Sequence, residues 1–166
     1  LSFSQQRLWF LELLEGKFTA YNVSLEWEIR GPLDVEALRR SLEAVIHRHE
    51  PLRTTFTLSE GNPIQVVGEK EPFDLLLESI AAEEPRNEVL RRIRKAHSEK
   101  RFDLMNDLLL RGCVVQFSED DHVLLLTLHH IASDGWSTGI LKRELTAFYR
   151  EHLDGAEANL PPLQVH

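Results

Sequence analysis

The sequence has little of what several large protein classes require. It contains one cysteine, Cys113, which excludes an internal disulfide and any metal site built from several cysteines. No hydrophobic run approaches the ~18 residues that a membrane-spanning helix needs, and the longest, residues 123–128, is interrupted by Thr127. A glycine-rich phosphate loop is missing, which argues against a nucleotide-binding fold. No signal peptide is visible, and the single cysteine fits best with a reducing cytoplasm.

The charge balance excludes a further class. Lys and Arg number 19 against 27 Asp and Glu, a formal net charge of −8, whereas nucleic-acid binders need clustered basic residues to contact phosphates. The 42% hydrophobic and 28% charged fractions suit a soluble globular domain, or one lobe of a larger one. With no initiator Met and a Leu-Pro-Pro-Leu end, we interpret residues 1–159 as a lobe and residues 160–166 as a linker within a longer polypeptide.

Hydrophobic periodicity predicts an alternation of helices and strands. Alternating residues predict a strand at 22–29, and Asp34 is predicted to cap the helix that follows it. A third helix should turn Val89, Leu90, Ile93 and Ala96 inward. The predicted helices span residues 4–14, 35–49, 86–100 and 136–153, and the predicted strands span 22–29, 53–58, 63–67, 73–80, 108–117 and 122–130. This order predicts a layered α/β fold with a mixed sheet.

The stretch with the strongest chemical pattern is an apolar strand that runs into two histidines and then Asp-Gly before a helix. Successive strand residues point to opposite faces, so one of His129 and His130 should face the protein interior and the other a cavity or solvent. This geometry makes them poor metal co-ligands, and we expect no metal site. His130 fits a general base, although a satisfied core histidine is an equally good interpretation. Asp134 fits three roles: orienting an imidazole, pairing with a buried arginine, or capping the helix.

Two other clusters accompany this stretch. Residues 47–56 place Arg48 and Arg53 around a helix end, where basic side chains complement the helix dipole. One of these arginines is also a candidate partner for Asp134, because a buried carboxylate needs a counter-charge. Residues 1–11 have the pattern of an ordinary amphipathic helix and carry no functional signal of their own.

Together the three stretches resemble the condensation domains of nonribosomal peptide synthetases. The first resembles that family's Ser-x-x-Gln-x-Arg-Leu-Trp motif, from Ser2 or Ser4 to Trp9. Residues 48–56 read Arg-His-Glu-Pro-Leu-Arg-Thr-Thr-Phe and match its Arg-His-Glu-x-Leu-Arg-Thr-x-Phe motif. Residues 129–135 match its His-His-x-x-x-Asp-Gly signature and continue with Trp136-Ser137. The resemblance covers essentially the whole chain but only the N-terminal part of the family's domain.

The resemblance implies a chloramphenicol acetyltransferase-like two-layer sandwich, in which a mixed sheet is packed by helices. It would form one lobe of a two-lobed domain whose active site lies between the lobes. The implied catalytic residue is His130, as general base or as the group that positions the amine. The implied structural support comes from His129, Asp134, Arg48 and Arg53, and the implied lining of the substrate channel from Gly135 and Trp136.

The implied reaction joins an acyl or peptidyl thioester on one carrier protein to the amine of an aminoacyl thioester on a second. Both substrates would ride on phosphopantetheine arms of partner carriers, with no cofactor bound by this lobe. The implied partners are donor and acceptor carriers, an adjacent adenylation domain and the second lobe. We expect the lobe to be inactive alone and to self-associate at high concentration. Alternatives are an epimerisation domain, a freestanding acyltransferase and a non-catalytic recruiting domain.

Overall fold

A computed structural model of the chain describes residues 3–15, 19–81, 83–132 and 138–161. Two single 3-10 turns, Glu50–Arg53 and His130–Ala132, join longer elements. No helix within these ranges is long and apolar enough to cross a membrane. The helices are α1 (Phe3–Glu15), α2 (Val35–Arg48), α3 (Arg86–Glu99) and α4 (Thr138–Asp154). The strands are β1 (Asn22–Arg30), β2 (Thr54–Ser59), β3 (Asn62–Val67), β4 (Leu75–Ser79), β5 (Leu110–Ser118) and β6 (Asp121–His129).

The main sheet is mixed, as the order of elements predicted. Its four strands lie in the order β1-β6-β5-β4, with β4 parallel to β5 and the other neighbours antiparallel. Parallel strands need a long crossover connection, and α3 provides it between β4 and β5. Strands β2 and β3 form a separate hairpin whose two central residues, Glu60 and Gly61, both have positive φ, as a tight hairpin turn requires.

Two hydrophobic cores lie on opposite faces of this sheet. The larger core contains Leu42 and Ile46 of α2 and Leu141 of α4, together with one face of the strands. The smaller core places Val89 and Ile93 of α3 against the other face. The larger core is the one that the predicted sandwich of a mixed sheet and packed helices implies. Helix α3 covers part of the opposite face of the sheet.

Strand β6 lies between the two cores. Its side chains alternate between them, with Leu124 and Leu126 in the larger core and Val123 and Leu125 in the smaller one. The strand is also hydrogen-bonded on both edges, to β1 and to β5. A strand buried on both faces needs apolar residues at nearly every position, which explains the hydrophobic run at residues 123–128.

The structure differs from the sequence-based expectations at several points. Strand β6 ends at His129, because the chain enters a 3-10 turn at His130. A second 3-10 turn, Glu50–Arg53, precedes β2, where the sequence predicted a strand from Arg53. Ala96 is exposed although the helical pattern placed it inward; its single methyl group gains little from burial.

Asp34 caps α2 as predicted. Its Oδ1 accepts a hydrogen bond from the Ala37 backbone N–H at 2.8 Å. We expect Asp34→Ala to lower the free energy of unfolding by about 1 kcal/mol, because one N–H at the helix start loses its acceptor. Urea unfolding followed by circular dichroism measures this change. Asp34→Asn keeps an acceptor and should lose less, so equal losses in the two variants would contradict the capping role.

Candidate active site

His129 is a buried, neutral imidazole at the end of β6. Its side chain is 2% exposed and packs against the rings of Phe102 and Tyr21, with centroids 5.9 and 6.3 Å away. Burial, together with the neighbouring His130, lowers the pKa of His129 to about 4. Its Nδ1 accepts the Ile131 backbone N–H at 3.2 Å, so the ring proton of the neutral form lies on Nε2. The His129 ring thus helps to close the turn that follows it.

His130 is exposed, in contrast to its neighbour. Its backbone N–H donates to the Tyr21 carbonyl at 2.8 Å, just beyond the point where β1 and β6 stop pairing at Asn22 and His129. The chain then turns, and Ile131 and Ala132 are buried in the larger core. His130 is therefore fixed through its backbone and through the residues on either side, while its imidazole is exposed. The two histidines differ in burial as the sequence predicted, although His130 lies in the 3-10 turn and not in the strand.

Polar contacts hold the part of the structure that packs against His129. Asn22 Nδ2 donates to the carbonyls of Ser98 at 2.8 Å and Lys100 at 3.1 Å, which ties the end of α3 to the start of β1. The Arg111 guanidinium lies 3.9 Å above the Phe102 ring and donates to the Lys100 carbonyl at 2.8 Å. These contacts fix the Phe102 ring against which His129 packs.

The two predicted arginines occupy different surroundings. Arg53 Nη1 donates to the Gly68 carbonyl at 2.5 Å, between the 3-10 turn and the end of the β2–β3 hairpin. Arg48 donates to the Pro161 carbonyl and reaches the carboxylate of Glu144 on α4. The contacts of Arg48 and Arg53 given above are with carbonyl and carboxylate groups rather than with His129 or His130.

Several predicted site residues lie outside the described residues: Asp134, Gly135 and Trp136. The predicted pairing of Asp134 with Arg48 or Arg53 stays a prediction, as do the channel roles of Gly135 and Trp136. In the part of the chain that the structure describes, no group of three or more His, Cys, Asp and Glu side chains converges as metal ligands would.

Sequence reasoning missed a buried carboxylate, Glu144. This side chain is 2% exposed, and His49 Nε2 lies 2.5 Å from its Oε2. Arg48 Nε is 3.4 Å from the same oxygen, an ion-pair distance without hydrogen-bond alignment. The signal was present: Glu144 falls on the buried stripe of α4, three residues after Leu141 and next to Leu145. A charged residue on such a stripe needs a partner of opposite charge.

A family model described as "Condensation domain" matches residues 1–166. The chain belongs to the condensation domain family. This confirms the family that the three motifs indicated.

Curated relatives of this condensation domain chain include large synthases and synthetases. This chain is 42% identical over 169 residues to chondramide synthase cmdD of Chondromyces crocatus, and the match covers 99% of the chain and 4% of the relative. It is 39% identical over 167 residues to phosphinothricin tripeptide synthetase PhsC of Streptomyces viridochromogenes, covering 99% of the chain and 15% of the relative. The chain therefore spans only a small part of the curated relatives it matches.

Solved structures confirm the fold class. The X-domain from teicoplanin biosynthesis is 32% identical with a TM-score of 0.83, over 97% of this chain and 34% of that one. The first condensation domain of the calcium-dependent antibiotic synthetase, in complex with a substrate analogue, has a TM-score of 0.84 at 24% identity, over 97% of this chain and 39% of that one. The chain has the α/β fold of condensation domains, over somewhat more than a third of their length.

Proposed function

We propose that this chain is the N-terminal lobe of a condensation domain that forms peptide bonds in nonribosomal peptide synthesis. In this proposal a donor acyl or peptidyl thioester reacts with the amine of an acceptor aminoacyl thioester. The remaining part of the domain is a second lobe, and residues 160–166 lead toward it. The lobe alone is inactive, because the reacting groups must meet between two lobes.

One observation carries the proposal: His130 presents an exposed imidazole at the end of a strand fixed on both edges. A general base must be accessible to its substrate and held in a defined place. Because His129 is buried, the two histidines have different roles in this proposal: His129 shapes the turn and His130 contacts the substrate. In the proposal, Gly135 and Trp136 line the channel, and Asp134 supports the turn.

The chemistry suits this arrangement. The acceptor nitrogen attacks the donor carbonyl carbon, a C–N bond forms, and the C–S bond breaks to release the donor carrier's thiol. The proton leaves the nitrogen through His130 and ends on the departing sulfur. Because the thioester is already activated, holding the two tethered groups together contributes most, about 7–11 kcal/mol. Proton removal then adds a further factor.

The proposal names partners by this chemistry. Donor and acceptor carrier proteins bring the substrates on phosphopantetheine arms, and an adenylation domain of the parent chain loads a carrier. The names of the synthase and synthetase relatives support these partners. The proposal places the reaction in the cytoplasm and needs no cofactor bound in this lobe. Without its second lobe, the chain is expected to self-associate at high concentration, because a surface for that lobe would be uncovered.

The direct test reconstitutes the reaction with the complete two-lobed domain. A donor carrier loaded with an acyl-aminoacyl group and an acceptor carrier loaded with an amino acid are mixed with the domain. Mass spectrometry of the carriers should find the dipeptidyl group on the acceptor and a free thiol on the donor. An acceptor loaded with a hydroxy acid serves as the matched control.

Other outcomes identify the alternatives. Inversion at the α-carbon without transfer would indicate an epimerisation domain. Transfer only to the hydroxyl would indicate an ester-forming acyltransferase. Binding of a carrier without any turnover would indicate a recruiting domain, and each of these results would overturn the proposal.

A further inference from the structure

The side chain of Asn22 links the start of β1 to the end of α3. Its Nδ2 donates to the carbonyls of Ser98 at 2.8 Å and Lys100 at 3.1 Å. Carbonyls at the C-terminal end of a helix have no N–H partner within the helix. Glycine often ends a helix and helps to satisfy these carbonyls, but residues 100 and 101 are Lys and Arg. Asn22 therefore supplies donors to this helix end from a neighbouring strand.

The backbone beside Asn22 leads directly to His130. Asn22 and His129 form the end pair in the register of β1 and β6. One residue earlier, the Tyr21 carbonyl accepts the His130 backbone N–H at 2.8 Å. This carbonyl and the Asn22 Cα belong to the same planar peptide unit. A shift of Asn22 therefore shifts the acceptor that holds His130.

The start of β1 lies where a sheet opens readily. Strand β1 is at one edge of the described four-stranded sheet, with β6 as its neighbour. Strand ends at the edge of a sheet open at a lower free energy than central strands. The Asn22 backbone N–H donates to the Thr19 carbonyl at 3.0 Å, within the local turn. The side-chain amide instead reaches another element, so it restrains the strand end against the rest of the fold.

Asn22 is not the residue that stability alone would favour at this position. Its Oδ1 is buried and has no hydrogen-bond partner within the described residues, and an unpaired buried acceptor destabilises a fold. Asparagine is also depleted in strands. What the position gains from asparagine is the pair of N–H donors that contact α3. This favours a role for the contact beyond packing.

We propose that Asn22 is a positioning residue: its amide ties the start of β1 to the end of α3 and so holds the Tyr21 carbonyl where it fixes the His130 backbone. This inference rests on the proposed function, since the benefit of a fixed backbone is the geometry in which His130 meets the acceptor amine. Misplacement by about 1 Å at a reacting centre costs about 100-fold in rate.

The same two elements offer a matched control. Farther along β1, the Glu26 carboxylate accepts two hydrogen bonds from the Arg94 guanidinium of α3, at 2.5 and 2.6 Å. Glu26→Gln therefore weakens a second contact between β1 and α3, four residues from the end that holds His130. Asp34→Ala serves as the control for stability, because the contact that it removes lies at the start of α2.

The kinetic test uses the complete two-lobed domain with loaded carriers. We expect Asn22→Ala to lower kcat for amide formation by about 10- to 100-fold, because the base is displaced. KM for both carriers should stay within twofold. Glu26→Gln and Asp34→Ala should keep kcat within twofold of the wild type. If Asn22→Ala does not fold, Asn22→Thr replaces it, because threonine favours strands and has no donor at the position of Nδ2.

A second measurement follows the His130 backbone directly. The same domain is labelled with nitrogen-15 histidine, and hydrogen exchange of the His130 amide is followed by NMR. Exchange should be faster in the Asn22 variant by about tenfold or more, because the bond to the Tyr21 carbonyl opens more often. In Glu26→Gln the exchange rate should stay within threefold of the wild type.

The outcomes separate the two proposals. Wild-type kcat in the Asn22 variant, equal losses of kcat in that variant and in either control, or an unchanged exchange rate of the His130 amide would overturn the positioning role. A wild-type domain that forms no amide would overturn the proposed function instead, and the exchange rates would still decide the role of Asn22.

Discussion

Replacing His130 with alanine in the complete domain is expected to lower kcat for amide formation by about 10²–10⁴-fold, the contribution of a positioned general base. The side chain is exposed and makes no contribution to either core, so the fold should persist. KM for both loaded carriers should stay near the wild-type value, because carriers are recognised through surfaces larger than one ring. Steady-state assays over a range of loaded-carrier concentrations measure the two constants separately.

The matched control is His97→Ala, which removes another imidazole from the same chain at the end of α3. It should retain wild-type turnover. A rate for His130→Ala within threefold of wild type would remove the base role and leave juxtaposition of the substrates as the source of catalysis. A rise in KM at constant kcat would instead assign His130 to binding of the amine.

His129 is expected to make the stability of the chain depend on pH. The pKa of this imidazole is about 4 in the folded chain against 6.5 for an ordinary histidine, chiefly because of burial. Between these values the unfolded chain binds more protons than the folded one, so the free energy of unfolding rises with pH. The contribution is complete above about pH 6.5 and is lost as the pH falls toward 4. From pH 7 to pH 5 the expected loss is about 2 kcal/mol.

His129→Asn isolates this contribution. The asparagine Oδ1 can still accept the Ile131 N–H that His129 Nδ1 accepts but does not titrate. Urea unfolding at pH 7 and pH 5 should therefore show a drop in the wild type that exceeds the drop in the variant by about 2 kcal/mol. Other groups, such as His97 with its pKa lowered by burial, titrate in both proteins. Equal drops would mean that His129 is protonated in the folded chain.

The fold could be predicted from sequence to the extent that each segment carried its own periodicity. The alternation of Leu25 and Trp27 with Glu26 and Glu28 predicted β1, and its residues follow that pattern of burial. The position of α3 on the opposite face of the sheet could not be predicted, because an amphipathic helix does not specify which of two apolar faces it covers. The 3-10 turn at Glu50–Arg53 was missed since turns this short carry no periodicity.

For the candidate site, the sequence indicated which residue types to consider but few of their contacts. Strand geometry predicted the opposite burial of His129 and His130, but the strand ends at His129 and His130 is exposed in the turn that follows it. The partner of Arg48 could not be predicted, because only tertiary packing brings α4 beside the end of α2, and the carboxylate it meets in the described structure is that of Glu144. The assignment of His130 as catalytic residue, and of Asp134 to an arginine, stays a prediction.

The enclosure of β6 by two cores and two neighbouring strands has a consequence for motion. Local opening of a folded protein begins at edges, termini and loops. A strand that is packed on both faces and paired on both edges opens only in global unfolding. His130 directly follows this strand, so fraying at the periphery leaves the segment before it in place. In the proposed reaction, we therefore expect any opening that admits substrates to occur in the parts of the protein that surround this strand.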